Sequence, residues 1–258
     1  MSGIVDLNGK KGLVIGMANQ DSIAYACAKK FRAAGAELAV TYLNEKAEKY
    51  VRPLAEDVQA SIIVPCNVQV EGELEAVFAE IEKKWGKLDF LVHSIAFAPL
   101  QDLHGRLTDC SLEGFLMAMD VSCHSLMRMT KLAEPLMKDG GSIISMTYHG
   151  SQQVIENYQV MGPAKAALES STRYLAAELA EKRIRVNCIS PGPLRTRAAS
   201  GIKDFENLMQ FAEKRVANYS DISQEDVGNM AAFLVSDAAK ALSGYNYYVD
   251  GGLSTIGA

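Results

Sequence analysis

The sequence predicts an α/β fold with one doubly wound parallel sheet of about seven strands and helices on both faces. Short runs rich in β-branched residues alternate with longer amphipathic stretches along the chain. The runs lack strict polar alternation, which indicates strands buried on both faces, and the stretches between them are long enough for crossover helices. The chain has 258 residues, 48% of them apolar, so we expect one continuous core and a single domain over residues 1–258.

The individual elements follow from the same periodicity. Strands are predicted at residues 12–16, 37–42, 61–64, 88–93, 142–146, 184–189 and 245–249. Helices are predicted at about residues 22–34, 45–57, 70–84, 112–137, 158–180 and 223–236. The last helix opens with a capping-box pattern from Ser223 to Asp226.

One segment interrupts this alternation. Residues from about 194 to 220 show no strand pattern and are rich in Arg, Ala, Gly and Phe. A long insertion inside a compact domain is more often functional than accidental. We therefore expect a substrate lid here.

Composition excludes several classes of function. The net charge is −5, from 26 basic and 31 acidic residues without long runs of one sign, so neither nucleic acid nor a membrane surface is an expected partner. The five cysteines show no metal-ligand or disulfide spacing, which is typical of reduced thiols, and we expect no metal. With no apolar leader and no apolar stretch approaching ~20 residues, the expected location is the cytoplasm.

Two tyrosines and a lysine form the candidate catalytic group. In a helix that begins near Tyr158, Lys165 lies about two turns further along, so both side chains project from one face. Tyr148 precedes them at the end of a predicted strand. A lysine can hold a nucleotide ribose and lend positive charge to a tyrosine, which can then donate a hydrogen bond to a carbonyl oxygen. Such a group suits hydride transfer if a nicotinamide site accompanies it.

The turn after the first strand is the candidate dinucleotide site. Small residues at Gly16, Ala18, Ser22 and Ala24 let the backbone approach a pyrophosphate, and the following helix N-terminus supplies free N–H groups. The GxGxxG pattern is absent, so an ordinary strand-to-helix turn with a serine cap stays open as the alternative.

Further loops fall on the same edge of the predicted sheet. Asn67 and Val68 follow the third strand and can bracket an adenine, and residues 93–99 follow the fourth. Ligands of Rossmann-type sheets bind at this carboxyl edge. The second strand ends near Leu43 with no acid at the usual ribose position and no arginine for a 2′-phosphate, which favours NADH over NADPH.

These residues carry a specific resemblance that covers essentially the whole chain. The motifs are Gly16-x5-Ser22-Ile23-Ala24, Trp85-Gly86-Lys87-Leu88-Asp89, residues 93–99, Tyr148-x9-Tyr158-x6-Lys165, residues 195–202 and Val249-Asp250-Gly251-Gly252. Together they resemble the bacterial enoyl-acyl carrier protein reductases, a divergent branch of the short-chain dehydrogenase/reductase superfamily. The wider superfamily uses Tyr-x3-Lys with an upstream serine, and this chain has Met161 and Tyr148 at those places. The pattern argues against ketone reduction.

The resemblance implies a reaction and a role for each residue. The reaction is reduction of a trans-2-enoyl thioester on acyl carrier protein by hydride from NADH, in fatty acid elongation. Tyr158 would hold the thioester oxygen, Lys165 the nicotinamide ribose, and Tyr148 the substrate. The implied cofactor site comprises Gly16, Ala18, Ser22, Ile23, Leu43, Asn67, Val68, Ser94, Ile95, Ala96, Lys165, Leu194 and Thr196. The implied acyl pocket comprises Ala98, Tyr148, Tyr158, Met161, Ala198, Ile202, Phe205 and Leu208.

Alternatives remain open for the residues and for the function. Lys165 can be a solvated helix lysine, Tyr148 an apolar wall, and the pocket residues generic core. The α-carbon proton can come from Tyr158 or from water. The four histidines have no obvious Asp or Ser relay partner, which argues against a hydrolase triad. The competing functions are a reductase that uses coenzyme A thioesters or NADPH, and a non-catalytic dinucleotide sensor. The resemblance also implies a homotetramer.

Overall fold

The computed structural model describes residues 4–216 and 219–256. Its strands are β1 (Lys11–Ile15), β2 (Glu37–Tyr42), β3 (Ile62–Pro65), β4 (Phe90–His93), β5 (Gly141–Met146), β6 (Ile184–Pro191) and β7 (Asn246–Val249). They form one seven-stranded parallel sheet in the order β3-β2-β1-β4-β5-β6-β7. The predicted doubly wound sheet is confirmed, and the seven predicted strands differ from the observed ones by at most two residues at either end.

The strand order reverses beside β1, which pairs with β2 on one side and with β4 on the other. The chain crosses to opposite faces of the sheet from these neighbouring strands. A crevice therefore opens at the carboxyl ends of β1 and β4, where open α/β sheets bind ligands.

Helices cover both faces of the sheet. They are α1 (Ile23–Ala33), α2 (Glu45–Asp57), α3 (Glu73–Trp85), α4 (Leu100–Leu103), α5 (Leu112–Met119), α6 (Ser125–Ala133), α7 (Met161–Glu178), α8 (Phe205–Arg215) and α9 (Gln224–Val235). Buried side chains of α3, α6 and α7 form one core cluster with the sheet, and those of α1, α2 and α9 form another. Within the described residues, no helix is long and apolar enough to cross a membrane.

The two cores follow from strand geometry, since successive side chains of a strand point to opposite faces. Leu13 belongs to the cluster with α3, α6 and α7, whereas Val14 belongs to the other. Ile143 and Ile144 of β5 divide in the same way. Burial on both faces is why the strands lack a strict alternation of polar and apolar residues in the sequence.

The region predicted as one helix over 112–137 is divided. Between α5 and α6 lies a π-helical turn, Asp120–His124, and Pro135 ends the segment in a 3₁₀ turn because proline has no N–H to donate. The wider π turn carries Ser122, whose hydroxyl accepts a hydrogen bond from the Phe97 N–H at 3.0 Å. The break therefore fixes the loop that follows β4.

The described residues of the lid segment, 194–216 and 219–220, form no strand, as predicted, but they include a helix that the sequence pattern did not predict. Helix α8 packs Met209 and Ala212 against Val216 and Tyr219 in a small cluster separate from the two sheet cores. The predicted capping box of the last helix is confirmed, with Ser223 and Asp226 bonded reciprocally.

Candidate active site

A glycine shapes the turn between β1 and α1. Gly16 has φ +114, and a Cβ at this position would lie 2.0 Å from the Ser94 carbonyl oxygen. Glycine is needed because any side chain would collide with the backbone that follows β4. The Ser22 hydroxyl accepts hydrogen bonds from the N–H groups of Ala18 at 3.0 Å and Asn19 at 2.9 Å. The two strand ends thus form a close cradle at the helix N-terminus, and this cradle fits a dinucleotide pyrophosphate.

The other predicted cofactor residues line the same sheet edge. Leu43 follows β2 and is 53% exposed. Asn67 follows β3; its side-chain oxygen accepts from Gln69 N–H at 3.0 Å, and its N–H donates to Glu73 at 2.6 Å. Five more predicted residues follow β3, β4 or β6. Val68 and Leu194 are buried, Ile95 and Thr196 are half-buried, and Ala96 is exposed.

The two tyrosines pack against each other in an apolar cluster. Their ring centroids lie 5.0 Å apart with an interplanar angle of 68°, the edge-to-face arrangement that aromatic rings prefer. Tyr158 is 8% exposed and shares the cluster with Ala98 and Met161. Burial raises the pKa of Tyr148 to about 12, and burial, Tyr148 and Glu169 together raise the pKa of Tyr158. Both phenols are therefore protonated donors at neutral pH.

The helix predicted at about residues 158–180 is observed as α7, with its start within a few residues of the predicted one. Helix α7 begins at Met161, and Tyr158 lies in the turn before it. Asn157 has φ +59, a left-handed conformation that a right-handed helix does not contain. Tyr158 is held instead by packing, because a Cβ on Gly150 would lie 2.6 Å from its ring.

Lys165 is not a solvated lysine. It is 5% exposed, and its ammonium donates a hydrogen bond to the Met146 carbonyl oxygen at 2.7 Å, at the end of β5. Burial disfavours the charged form and lowers the pKa of Lys165 to about 8. A partly desolvated ammonium with two further N–H donors thus lies at the carboxyl edge of the sheet.

The predicted acyl-pocket residues divide into two groups. Ala98, Tyr148, Tyr158, Met161 and Ile202 pack in one cluster. Phe205 packs in the separate lid cluster of α8, Leu208 is half-buried on that helix, and Ala198 is exposed. The structure therefore brings together the predicted pocket residues that lie nearest the tyrosines. The predicted pocket residues Phe205, Leu208 and Ala198 of the lid are not part of that cluster.

The lid is tied to the site by polar contacts. His104 Nε2 donates to the Gly201 carbonyl oxygen at 2.8 Å, and Asn157 donates from its amide to the Lys203 carbonyl oxygen at 3.1 Å. Within the lid itself, Arg195 forms an ion pair with Glu206 of α8. The second contact joins the lid directly to the residue before Tyr158.

The expectation that no histidine has an Asp or Ser partner was wrong for His124, whose Nδ1 lies 3.1 Å from Asp120 Oδ1, and for His93. His93 Nδ1 lies 2.8 Å from Ser145 Oγ, and its Nε2 lies 2.8 Å from Ser125 Oγ. Because Ser125 donates its own proton to the Val121 carbonyl oxygen, it accepts from Nε2–H, and Nδ1 accepts from Ser145. Burial lowers the pKa of His93 to about 3. The imidazole is neutral and fully bonded, so it offers no base for a hydrolase triad.

Sequence reasoning also missed Glu169 and Tyr219. Glu169 is 4% exposed on α7 and accepts hydrogen bonds from Thr147 and Ser151, which flank Tyr148. Its spacing of four residues from Lys165 places both on one helix face, which was an available signal. Tyr219 is buried within the lid segment and donates to the Pro193 carbonyl oxygen at 3.3 Å. No sequence pattern indicated that contact.

Comparison with known proteins identifies the same family that the sequence motifs resemble. The family described as Enoyl-(Acyl carrier protein) reductase matches residues 16–254. This chain belongs to that family. The enoyl-[acyl-carrier-protein] reductase [NADH] FabI of Rickettsia typhi is 45% identical over 251 residues, 97% of this chain and 96% of that protein.

Solved structures of enoyl-acyl carrier protein reductases superpose on nearly the whole chain. The enzyme from Anaplasma phagocytophilum, in complex with NAD, is 42% identical with a TM-score of 0.93 and covers 98% of this chain and 96% of its own. The Bacillus cereus enzyme with NADP+ and indole naphthyridinone is 42% identical with a TM-score of 0.95, covering 98% and 100%. The Rossmann-type fold is thus shared with structures that hold a dinucleotide.

Proposed function

We propose that this enoyl-acyl carrier protein reductase reduces the trans-2 double bond of enoyl thioesters carried on acyl carrier protein, with NADH as cofactor, in fatty acid elongation. The observation that supports it best is the buried pair Tyr148 and Tyr158 beside Lys165, at the carboxyl edge of a dinucleotide-binding sheet. A sensor needs the cradle for the dinucleotide but has no use for two protonated phenols in an apolar pocket. The enzyme is therefore favoured over the sensor.

The chain's own residues fit the cofactor. The Gly16 cradle and the N-terminus of α1 suit the pyrophosphate, and Lys165 retains two N–H donors for the ribose hydroxyls. When bound, NADH supplies a hydride for the β-carbon of the enoyl group. The absence of an arginine next to Leu43 leaves a 2′-phosphate without a bidentate partner, which favours NADH over NADPH.

Tyr158 is the proposed donor to the substrate. As the double bond is reduced, negative charge develops on the thioester oxygen, and a phenol held in a dry pocket can donate a hydrogen bond to it. One such oriented donor is worth ~3 kcal/mol of barrier. The edge-to-face contact with Tyr148 keeps the Tyr158 ring in place, and Ala98, Met161 and Ile202 supply an apolar wall for the acyl chain.

Acyl carrier proteins are acidic, so we propose that they dock on the cations at the lid. In the described part of the chain, Arg195 pairs with Glu206, whereas Arg197 and Lys203 form no ion pair. The affinity for acyl carrier protein should therefore fall as the salt concentration rises, through the charges of Arg197 and Lys203. An affinity for acyl carrier protein that Lys203→Glu leaves unchanged would contradict this assignment.

The test of the proposed function is a panel of absorbance assays at the NADH band. The purified protein is mixed with NADH or NADPH and with a trans-2-enoyl thioester of acyl carrier protein or coenzyme A. We expect turnover to be fastest with NADH and the acyl carrier protein thioester. Faster turnover with coenzyme A thioesters or NADPH would favour the alternative reductase, and saturable NADH binding without turnover on any thioester would favour the sensor.

We also propose a cytoplasmic location, as the sequence predicts, and a homotetramer, as the resemblance implies. The outer faces of α5 and α7 expose Leu112, Leu116 and Tyr174, the last of them 78% exposed, and Tyr245 is exposed beside the edge strand β7. Apolar surface of this kind is typical of contacts between subunits. Light scattering during size-exclusion chromatography should give four times the chain mass, and a monomer mass at micromolar concentration would contradict it.

A further inference from the structure

The segment that carries Tyr148 is hydrogen-bonded to one helix, α7. Lys165 of α7 donates to the carbonyl oxygen of Met146 at 2.7 Å. One turn further along α7, Glu169 Oε1 accepts hydrogen bonds from Thr147 Oγ1 at 2.7 Å and Ser151 Oγ at 2.5 Å. Tyr148 lies between these anchors in the chain, so its backbone is bound on both sides to the helix that begins beside Tyr158.

A carboxylate is well suited to this attachment. An ionised carboxylate only accepts, so both hydroxyls must point their protons at Glu169 and each is fixed in one orientation. Hydrogen bonds to a charged acceptor are stronger than neutral ones, and they offset the cost of burying the charge. A glutamine of the same size would offer one neutral oxygen and would bring two N–H donors with no demonstrated acceptor.

The same carboxylate acts on Lys165 through space. The titratable groups around this ammonium are His93 on β4, Cys123 on the π turn, Cys188 on β6 and Glu169 itself. The pKa of His93 is lowered and the pKa values of both thiols are raised, so these three groups are neutral at pH 7. Glu169 is the acid of the set, and its negative charge raises the pKa of Lys165 against the larger effect of burial.

We propose that Glu169 is a positioning residue of the active site, which anchors the Tyr148 segment through Thr147 and Ser151 and keeps the buried Lys165 ammonium charged. This inference rests on the proposed roles of Tyr148 and Lys165. The two tasks are separable, because the hydroxyls can be removed without removing the charge, and the charge can be removed without changing the shape of the side chain.

The experiment compares wild type with Glu169→Gln, Thr147→Val and Ser151→Ala. NADH affinity is measured by nucleotide fluorescence from pH 6 to 10 without substrate, and kcat is measured at pH 7. Since the cationic lysine binds the ribose, wild-type affinity should fall as pH rises through about 8. In Glu169→Gln the Lys165 ammonium loses a nearby negative charge, so this midpoint should move down by about one pH unit.

The hydroxyl variants should behave differently. Thr147→Val and Ser151→Ala keep the carboxylate, so the pH midpoint of NADH binding should stay where it is in wild type, whereas kcat should fall about threefold to tenfold through loss of one charge-assisted hydrogen bond. A midpoint unchanged in Glu169→Gln, or a wild-type kcat in both hydroxyl variants, would overturn the proposal. If Glu169→Gln does not fold, the kcat values of the two hydroxyl variants still test whether Glu169 anchors the Tyr148 segment.

Tyr158→Phe, run in the same assays, separates this inference from the proposed function. If Tyr158→Phe turns over like wild type, the assignment of the site is wrong, whatever the Glu169 variants do. If Tyr158→Phe loses turnover while the Glu169 and hydroxyl variants match wild type, the site stands and only the role of Glu169 is refuted.

Discussion

Gly150 lies where its lack of a side chain matters most for the active site. An alanine Cβ at this position would lie 2.6 Å from Cδ1 and 2.9 Å from Cε1 of the Tyr158 ring, well inside the 3.4 Å at which ordinary contact begins. The same Cβ would lie 3.4 Å from Cδ1 of the Tyr148 ring, so the alanine methyl would be bordered by both aromatic rings. The Tyr158 ring must therefore move by roughly 1 Å.

We expect Gly150→Ala to lower kcat about a hundredfold, which is the loss that a displacement of about 1 Å of a reacting group can cause. The stability cost should be about 1–3 kcal/mol, as for other overpacked sites, so the variant should fold with a lower Tm. The assay is steady-state NADH oxidation at saturating NADH and enoyl thioester, with a thermal melt of the same sample. Gly201→Ala is the steric control for the melt, because a Cβ there meets nothing within 4 Å.

A double-mutant cycle tests whether the loss acts through the Tyr158 hydroxyl. In a Tyr158→Phe background the hydroxyl is already absent, so Gly150→Ala should then lower kcat by less than about threefold. Additive losses in the double variant would mean that Gly150 affects catalysis by another route. A wild-type kcat in Gly150→Ala itself would refute the steric reasoning.

Three further predictions concern the cofactor cradle, the lid and the nicotinamide side of the pocket. Gly16→Ala should abolish measurable NADH binding in a fluorescence titration, because its Cβ would lie 2.0 Å from the Ser94 carbonyl oxygen; retained affinity would contradict the cradle. Asn157→Gly keeps the left-handed backbone but removes the hydrogen bond to Lys203, and should raise KM for the thioester about threefold to tenfold. A KM equal to that of wild type would contradict a role of this hydrogen bond in substrate binding. Ala96→Gly removes a methyl beside the expected nicotinamide position and should tighten inhibition by flat aromatic inhibitors; superimposable inhibition curves would refute this.

The sheet was predictable because parallel strands buried on both faces leave a direct signature. In residues 142–146 the adjacent apolar residues Ile143 and Ile144 fill different cores, so the strand lacks a strict alternation of polar and apolar residues. The helix of the lid was not predictable in the same way, since α8 buries only Met209 and Ala212 in a small cluster of its own. Its apolar stripe is too narrow to stand out from its surroundings.

The sequence indicated which residues form the candidate site, but not their position relative to the helices or their hydrogen-bond partners. The spacing of Tyr158 and Lys165 suggested two positions on one helix, yet α7 begins at Met161 and Tyr158 lies in the turn before it. The serine partners of His93 come from β5 and from the start of α6, which are distant in sequence. Tertiary contacts of this kind leave no local periodicity. They could be found only once the strand order had brought β4 beside β5.

The central claim is that the Tyr158 hydroxyl stabilises the charge that develops on the thioester oxygen. Its most direct test is a single-turnover measurement, in which protein with bound NADH is mixed rapidly with a trans-2-enoyl thioester of acyl carrier protein. Tyr158→Phe should bind NADH as tightly as wild type and react about a hundredfold more slowly, which corresponds to ~3 kcal/mol for one oriented donor. A rate within about twofold of wild type, at equal NADH affinity, would contradict the claim.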